Sequence, residues 1–61
     1  MTDRTATAAE VRKLYTDADH TVRISRDGHV EYKDGGEGPW LEGRWVSEYR
    51  IDTETGIVRL A

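Results

Sequence analysis

The clearest pattern along the chain lies in residues 44–52, where the side chains alternate strictly between two faces. One face carries Trp45, Ser47, Tyr49 and Ile51, and the other carries Arg44, Val46, Glu48, Arg50 and Asp52. Alternation with a period of two that includes aromatic and β-branched residues is typical of a half-buried antiparallel strand. We therefore expect these residues to form the central strand of a sheet.

A helix is predicted over residues 7–18, before the strands. Thr7-Ala8-Ala9-Glu10 is a capping box, in which the Thr7 hydroxyl accepts from the Glu10 amide and the Glu10 carboxylate accepts from the Thr7 amide. The apolar side of this helix carries Ala8, Val11, Leu14, Tyr15 and Ala18. A helix of about three turns is marginally stable by itself in water, so we expect it to pack on the sheet.

Two shorter alternating segments on either side of Gly28 predict a hairpin. A two-residue loop would place the apolar side chains of its two strands on opposite faces. A three-residue loop, with Gly28 in the left-handed conformation, instead pairs Ile24 with Val30 and Val22 with Tyr32. Because a slip of one residue moves every side chain to the other face, we predict the three-residue loop.

The last strand is predicted over residues 57–60. The same argument from matched faces decides the turn that precedes it. A four-residue loop over residues 53–56 pairs Ile51 with Val58 and keeps the apolar side chains of both strands together, so that Tyr49 faces Leu60.

These elements predict a single small α+β domain, in which one N-terminal helix packs on a four-stranded antiparallel β-meander within residues 20–61. Residues 1–6 are polar and without pattern, and we expect them to be flexible. The face toward the helix is predicted to carry Val22, Ile24, Val30, Tyr32, Trp45, Tyr49, Ile51, Val58 and Leu60. A chain of 61 residues forms only a small core, so a monomer and a homodimer are both compatible with the sequence.

Composition narrows the classes of function. The chain has no cysteine, which excludes disulfides and cysteine-ligated zinc. It carries 12 acidic and 9 basic side chains, and this net charge of −3 does not favour direct nucleic-acid binding. The sequence shows no signal peptide and no apolar run of membrane-spanning length, so we expect a cytoplasmic protein that makes no membrane contact.

No set of residues in the sequence indicates catalysis. Ser25 and Ser47 lie within predicted strands and outside any nucleophile motif. His20 and His29 lie at positions typical of surface or strand-end histidines, and neither position indicates a catalytic role. The acidic run that precedes His20 lacks the glycine and the final glutamate of a calcium-binding loop. We therefore expect no enzymatic activity, no metal site and no cofactor.

A resemblance to a DNA-binding family supplies one hypothesis. Residues 43–56, which include Arg44-Trp45, Tyr49-Arg50 and Thr55-Gly56, are similar to the hairpin of the small three-stranded sheets at the N-termini of phage integrases. In that family the sheet enters the major groove, where arginines contact bases or phosphates. The resemblance implies a DNA-binding set of Arg23, Lys33, Arg44, Arg50 and Arg59. The helix precedes the sheet in this chain and follows it in the family, so DNA binding is our alternative.

Binding to a protein is the preferred hypothesis. Acidic side chains are dense between residues 31 and 42, and carboxylates on a small scaffold can imitate a phosphate backbone in a basic channel. Trp40 follows a glycine-rich loop and is a candidate anchor, because tryptophan is enriched at interface hot spots. The predicted partner-binding residues are Glu31, Asp34, Glu37, Trp40, Glu42 and Glu48.

In size, charge and absence of catalytic motifs, the chain resembles the phage and mobile-element proteins that inhibit host defence, anti-CRISPR proteins among them. A stoichiometric inhibitor needs only a surface that occupies its target. The expected partner is therefore a nucleic-acid-handling protein complex. A small DNA-binding sheet of the integrase-arm or excision type is the alternative, and a subunit of a larger cellular complex is a third hypothesis.

Overall fold

The computed structural model describes residues 2–61 and confirms the α+β class. Among these residues, one α-helix packs against two three-stranded antiparallel sheets. The elements in chain order are β1 (Asp3–Thr5), α1 (Ala8–Asp17), β2 (His20–Ile24), β3 (His29–Asp34), β4 (Leu41–Trp45), a 3-10 turn (Val46–Glu48), β5 (Tyr49–Asp52) and β6 (Val58–Leu60). We call the sheet with strand order β2-β3-β4 the central sheet, and the sheet with order β1-β5-β6 the terminal sheet.

The four-stranded meander is wrong, because the long strand predicted over residues 44–52 is broken. Val46–Glu48 forms a single 3-10 turn between β4 and β5. The Glu48 carboxylate accepts a hydrogen bond of 2.9 Å from the Trp45 amide and so caps the start of this turn. The turn directs β4 into the central sheet and β5 into the terminal sheet. As a result, Trp45 is 45% exposed, although the alternation placed it in the core.

The terminal sheet also contains a strand that the predicted meander leaves out. β1 pairs antiparallel with β5, with Arg4 opposite Ile51. Directly after β1, the Ala6 amide donates to the Tyr49 carbonyl over 3.0 Å, and the Ala6 side chain is buried. The segment that precedes α1 therefore adds a strand to the terminal sheet and contributes Ala6 to the core.

The predicted register of the first hairpin is confirmed. In the β2–β3 pair, Ile24 lies opposite Val30 and Val22 lies opposite Tyr32. Gly28 has a φ of 94°, the left-handed conformation that the three-residue loop requires. Face matching was therefore sufficient to determine this loop.

The predicted register of the second hairpin is confirmed as well, since Ile51 lies opposite Val58 and Tyr49 lies opposite Leu60. Its burial differs from the prediction at one position. Leu60 lies near the end of the chain and is 49% exposed, so it is not part of the core. β6 is an edge strand, and α1 covers its side chains only in part.

The helix begins as predicted, with both hydrogen bonds of the capping box in place. The Glu10 amide donates to Thr7 Oγ1 over 3.2 Å, and the Thr7 amide donates to Glu10 Oε1 over 2.9 Å. Arg4 of β1 adds two hydrogen bonds to the same carboxylate, of 2.8 and 2.9 Å. The Arg4 guanidinium, followed by the Thr7 amide, lowers the pKa of the Glu10 carboxyl to about 2. Glu10 therefore connects β1 to the start of α1.

The buried core is small and draws on every layer of the fold. Ala6, Val11, Val30 and Tyr49 form one buried cluster, and each is at most 2% exposed. Val11 comes from α1, Val30 from the central sheet, and Tyr49 from the terminal sheet. The hydroxyl of Tyr15, also on α1, is hydrogen-bonded to the hydroxyl of Tyr49.

The Glu10 carboxylate makes stability depend on pH in a defined direction. Its pKa is about 2 in the folded chain, against an ordinary value of 4.5. The stabilisation is therefore complete above the ordinary value and is lost as the pH falls through about 2. We expect the difference in unfolding free energy between the wild type and Glu10→Gln to shrink over this range. Urea unfolding at pH 7, 4 and 2 measures it.

A control for this experiment is Asp17→Asn, which breaks the exposed pair between Lys13 and Asp17 on the same helix. An exposed pair of this kind contributes little, so this variant should change stability only slightly. A gap between the wild type and Glu10→Gln that stays constant from pH 7 to 2 would contradict the assignment.

Gly43 permits the close approach of α1 to β4. A Cβ atom at this position would lie 3.0 Å from the Tyr15 hydroxyl oxygen and 3.2 Å from the Val30 carbonyl oxygen. We expect Gly43→Ala to destabilise the fold by about 1–3 kcal/mol, as overpacking usually does. Tyr15→Phe removes one of the two obstructing atoms, so the double variant should cost less than the sum of the single variants. Additive costs in denaturant unfolding would refute this account.

Candidate protein-binding face

The central sheet has one covered face and one open face. On the covered face, Val30 is fully buried, and the Tyr32 ring lies 4.9 Å from the ring of Tyr15 on α1. The strand pairings place the intervening residues on the opposite side. We call this open side the tryptophan face, and it consists of Arg23, His29, Glu31, Lys33, Trp40, Glu42 and Trp45.

At one end of the tryptophan face, two cations lie over the ring of Trp40. The Arg23 guanidinium carbon is 4.1 Å from the ring centroid, and the Lys33 ammonium nitrogen is 4.6 Å from it. Cation–π contacts at exposed sites contribute about 0.5–1 kcal/mol each. Because β2 and β3 hold the two cations, they fix the position of a tryptophan that directly precedes β4.

At the centre of the face, two carboxylates are neighbours across the strands. Glu31 of β3 lies opposite Glu42 of β4, and each has a basic partner. Glu31 Oε1 accepts from Arg23 Nε over 3.0 Å, and Glu42 Oε1 accepts from His29 Nε2 over 3.1 Å. These pairs offset the repulsion between the carboxylates. The face therefore alternates in charge and is not uniformly acidic.

At the other end of the face, the Trp45 ring packs on the His29 ring, with 4.9 Å between the centroids. An irregularity in the β3–β4 pairing brings Trp45 here: His29 lies opposite Trp45, whereas Glu31 lies opposite Glu42. β4 thus has one extra residue over this interval, as in a β-bulge. The bulge places Glu42 and Trp45 on the same face, although they are three residues apart in sequence.

The loop that links β3 to β4 continues the acidic character beyond Trp40. We call residues 34–39 the acidic loop. The Asp34 side chain is 86% exposed, and its Oδ1 lies 3.7 Å from His20 Nδ1. The Glu37 amide donates to the Asp34 carbonyl over 3.1 Å, and within residues 2–61 the Glu37 side chain has no ion pair. The exposed carboxylates therefore lie next to the Trp40 end of the face.

The structure brings together part of the predicted partner-binding set. Glu31, Trp40 and Glu42 share the tryptophan face, and Asp34 and Glu37 lie on the adjoining acidic loop. The exception is Glu48, because its carboxylate caps the 3-10 turn and also lies 3.9 Å from Arg44 Nη1. Its role in this structure is local.

The predicted DNA-binding set is divided between the two sheets. Arg23 and Lys33 lie over Trp40, whereas Arg50 and Arg59 are cross-strand partners in the terminal sheet. Arg50 donates to the Ser47 carbonyl over 2.6 Å, and Arg59 pairs with Asp3 over 2.8 Å. Arg44 is 61% exposed near the end of β4. These cations already have acceptors or aromatic partners within the chain.

Two members of the face were not among the predicted site residues. His29 was expected to be an ordinary surface histidine beside the hairpin turn, and Trp45 was expected in the core. The bulge that places Trp45 on the open face cannot be predicted from the pattern of polar and apolar residues, since residues 44–52 alternate without interruption. Only the glycine at position 43, where a side chain would obstruct α1, hints at an irregularity.

A separate shallow cavity of about 310 Å³ lies between α1 and the terminal sheet. It is lined by Glu10, Lys13, Leu14, Asp17, Ile51, Gly56, Ile57 and Val58. Within this lining, Lys13 Nζ donates to Asp17 Oδ2 over 2.8 Å.

Two further features of the described chain bear on function. Within residues 2–61, no three histidine, aspartate or glutamate side chains gather closely enough to hold a metal ion. No helix in that part of the chain has both the length and the apolar character needed to cross a bilayer. Comparison with protein-family models, with curated proteins and with solved structures finds no match to this chain.

Proposed function

We propose that this chain is a non-enzymatic protein-binding module that acts through the tryptophan face. The observation that carries the proposal is the presence of two tryptophans at opposite ends of one open sheet face, one of them held by two cations. Tryptophan and arginine supply much of the binding energy at protein interfaces. Because strand residues hold Trp40 in place before binding, less side-chain entropy is lost when a partner docks.

The charges of the face suggest the chemistry of the partner. Glu31 and Glu42 stand at its centre, and Asp34 and Glu37 extend it with exposed carboxylates. A complementary surface would be basic where it meets the acidic loop, with apolar recesses for the two indole rings. Nucleic-acid-handling complexes present basic surfaces of this kind. An inhibitor of the anti-defence type would act by occupying one of them.

The alternative is a small DNA-binding sheet of the integrase-arm or excision type. The observation that favours it is the pairing of Arg50 with Arg59 across the β5–β6 hairpin, which contains part of the segment similar to integrase arms. Two observations weigh against it: Glu31 and Glu42 interrupt the cations of the tryptophan face, and the net charge is −3. We therefore rank protein binding first.

Capture from a lysate, with a matched control variant, tests the protein-binding proposal. The immobilised protein is incubated with nuclease-treated bacterial lysate, and the retained proteins are quantified by mass spectrometry. Trp45→Ala should reduce retention of the specific partner at least tenfold, since a hot spot contributes roughly 2 kcal/mol or more. Leu60→Ala is the control, because Leu60 lies on the terminal sheet and is 49% exposed, against 45% for Trp45.

Three outcomes of this experiment are informative. Retention that falls only in Trp45→Ala and weakens with added salt supports the proposal, since the acidic loop should add an electrostatic component. Equal retention by all variants means that the tryptophan face is not the binding surface. A loss confined to Leu60→Ala would assign binding to the terminal sheet. Circular dichroism of each variant establishes that its fold is intact.

Direct measurement with a labelled duplex tests the alternative. We expect no binding by fluorescence anisotropy, even at low salt, because the acidic and basic groups of the face offset one another. DNA binding by the wild type would favour the integrase-arm hypothesis. In that case Arg44→Ala should weaken binding and reduce the salt slope by about one, as expected for loss of one phosphate contact.

A further inference from the structure

His20 contains an unusual buried atom. Among the side chains of residues 2–61, its Nδ1 is the only buried nitrogen or oxygen without a hydrogen-bond partner. The side chain as a whole is 29% exposed, so the ring reaches solvent while this nitrogen does not. A buried polar atom without a partner costs free energy, and native structures contain few of them. The position of this atom therefore calls for a physical explanation.

The groups around the ring leave one candidate partner. His20 is the first residue of β2 and lies opposite Asp34, the last residue of β3. The titratable groups that face the ring are Tyr15 of α1, Tyr32 of β3 and Asp34. The two tyrosine ring centroids lie 6.1 and 5.2 Å from the imidazole centroid. Asp34 Oδ1 lies 3.7 Å from Nδ1, which is too long for a hydrogen bond but short enough to become one after a small rotation.

We propose that His20 and Asp34 form a proton-controlled latch on the acidic loop. In the structure, Nδ1 has no hydrogen-bond partner and the Asp34 side chain is 86% exposed. When the imidazole takes up a proton from solvent, both ring nitrogens become donors, and Nδ1–H closes on Asp34 Oδ1. The charge-assisted bond then fixes the first residue of the loop to the first residue of β2.

The backbone of the acidic loop is of a kind that an additional hydrogen bond would restrain. Gly35, Gly36 and Gly38 have φ values of 60°, 84° and 82°, so this backbone relies on conformations that other residues rarely adopt. Its base is held by the Gly35 amide, which donates to the Asp19 carbonyl over 3.0 Å. A second restraint at position 34 would limit the loop at the point where it leaves β3.

The latch also connects to the tryptophan face, and this consequence depends on the proposed function. Closing the latch compensates the charge of Asp34 and orders the loop that leads to Trp40. A basic partner would then meet one free carboxylate fewer. Partner binding should therefore weaken when protonation of His20 closes the latch.

An NMR titration of the isolated protein from pH 8 to pH 5 tests the latch without any partner. The ring of His20 and the amides at residues 35–38 should titrate together in the wild type. Exchange of these amides, corrected for its intrinsic pH dependence, should slow about two- to fivefold as the ring protonates, as expected for a partly exposed ion pair. Asp34→Asn should abolish both responses, and folding is not at risk because this side chain is 86% exposed.

His29→Gln is the matched control, since the chain has only two histidines. This variant leaves the His20–Asp34 pair intact, so the response of the loop should persist. The latch hypothesis would be refuted if exchange of the loop amides did not change on protonation of His20, or if it changed equally in Asp34→Asn. If the loop response is lost in Asp34→Asn but partner capture does not change with pH, the latch exists and has no regulatory role. Failure of capture itself would count against the proposed function alone.

Discussion

The fold depends on a small contact at which α1 joins two sheets that share no strand. Val11 of α1 lies in one buried cluster with Val30 of the central sheet and Tyr49 of the terminal sheet. The Tyr15 hydroxyl is hydrogen-bonded to the Tyr49 hydroxyl. Burial, and then the hydrogen bond with Tyr15, raise the pKa of Tyr49 well above its ordinary value. The Tyr49 hydroxyl therefore stays neutral at physiological pH. This contact lets both sheets pack on one short helix.

The same constraint explains why the tryptophan face exists. Tyr49 must point into the core at the start of β5, whereas β4 must stay beside β3. The 3-10 turn at Val46–Glu48 allows the chain to satisfy both requirements, and it leaves Trp45 outside the core. The bulge in β4 then sets Trp45 beside His29 on the open face. Packing of the terminal sheet thus determines which side chains the central sheet exposes.

Sequence patterns predicted the structure correctly where interactions between residues close in sequence determine it. The capping box at Thr7 and Glu10 fixed the start of α1, and matched faces fixed the loop at Gly28. These features depend on hydrogen bonds or pairings across a few residues. Trp40, Glu31 and Glu42 could be chosen as candidate site residues for a similar reason, since they flank one loop. The sequence could not show that cations of β2 and β3 lie over Trp40.

What the sequence could not predict depends on distant partners. Arg4 pairs with Ile51 across most of the chain, and no local pattern in the N-terminal residues indicates a strand. The break after Trp45 is hidden because Ser47 and Glu48 continue the alternation that a strand would show. A 3-10 turn is favoured there only because both sheets must reach α1. The error in the meander and the misplacement of Trp45 therefore have one common cause.

The exposure of Trp45 is the strongest physical argument for an interaction surface. Burying a large apolar side chain stabilises a fold by roughly 1.5–3 kcal/mol, and only five hydrophobic residues within residues 2–61 are buried. Cations that could have contacted phosphates are instead placed over Trp40. This arrangement supports the proposed protein partner over a nucleic-acid backbone, which would need those cations free.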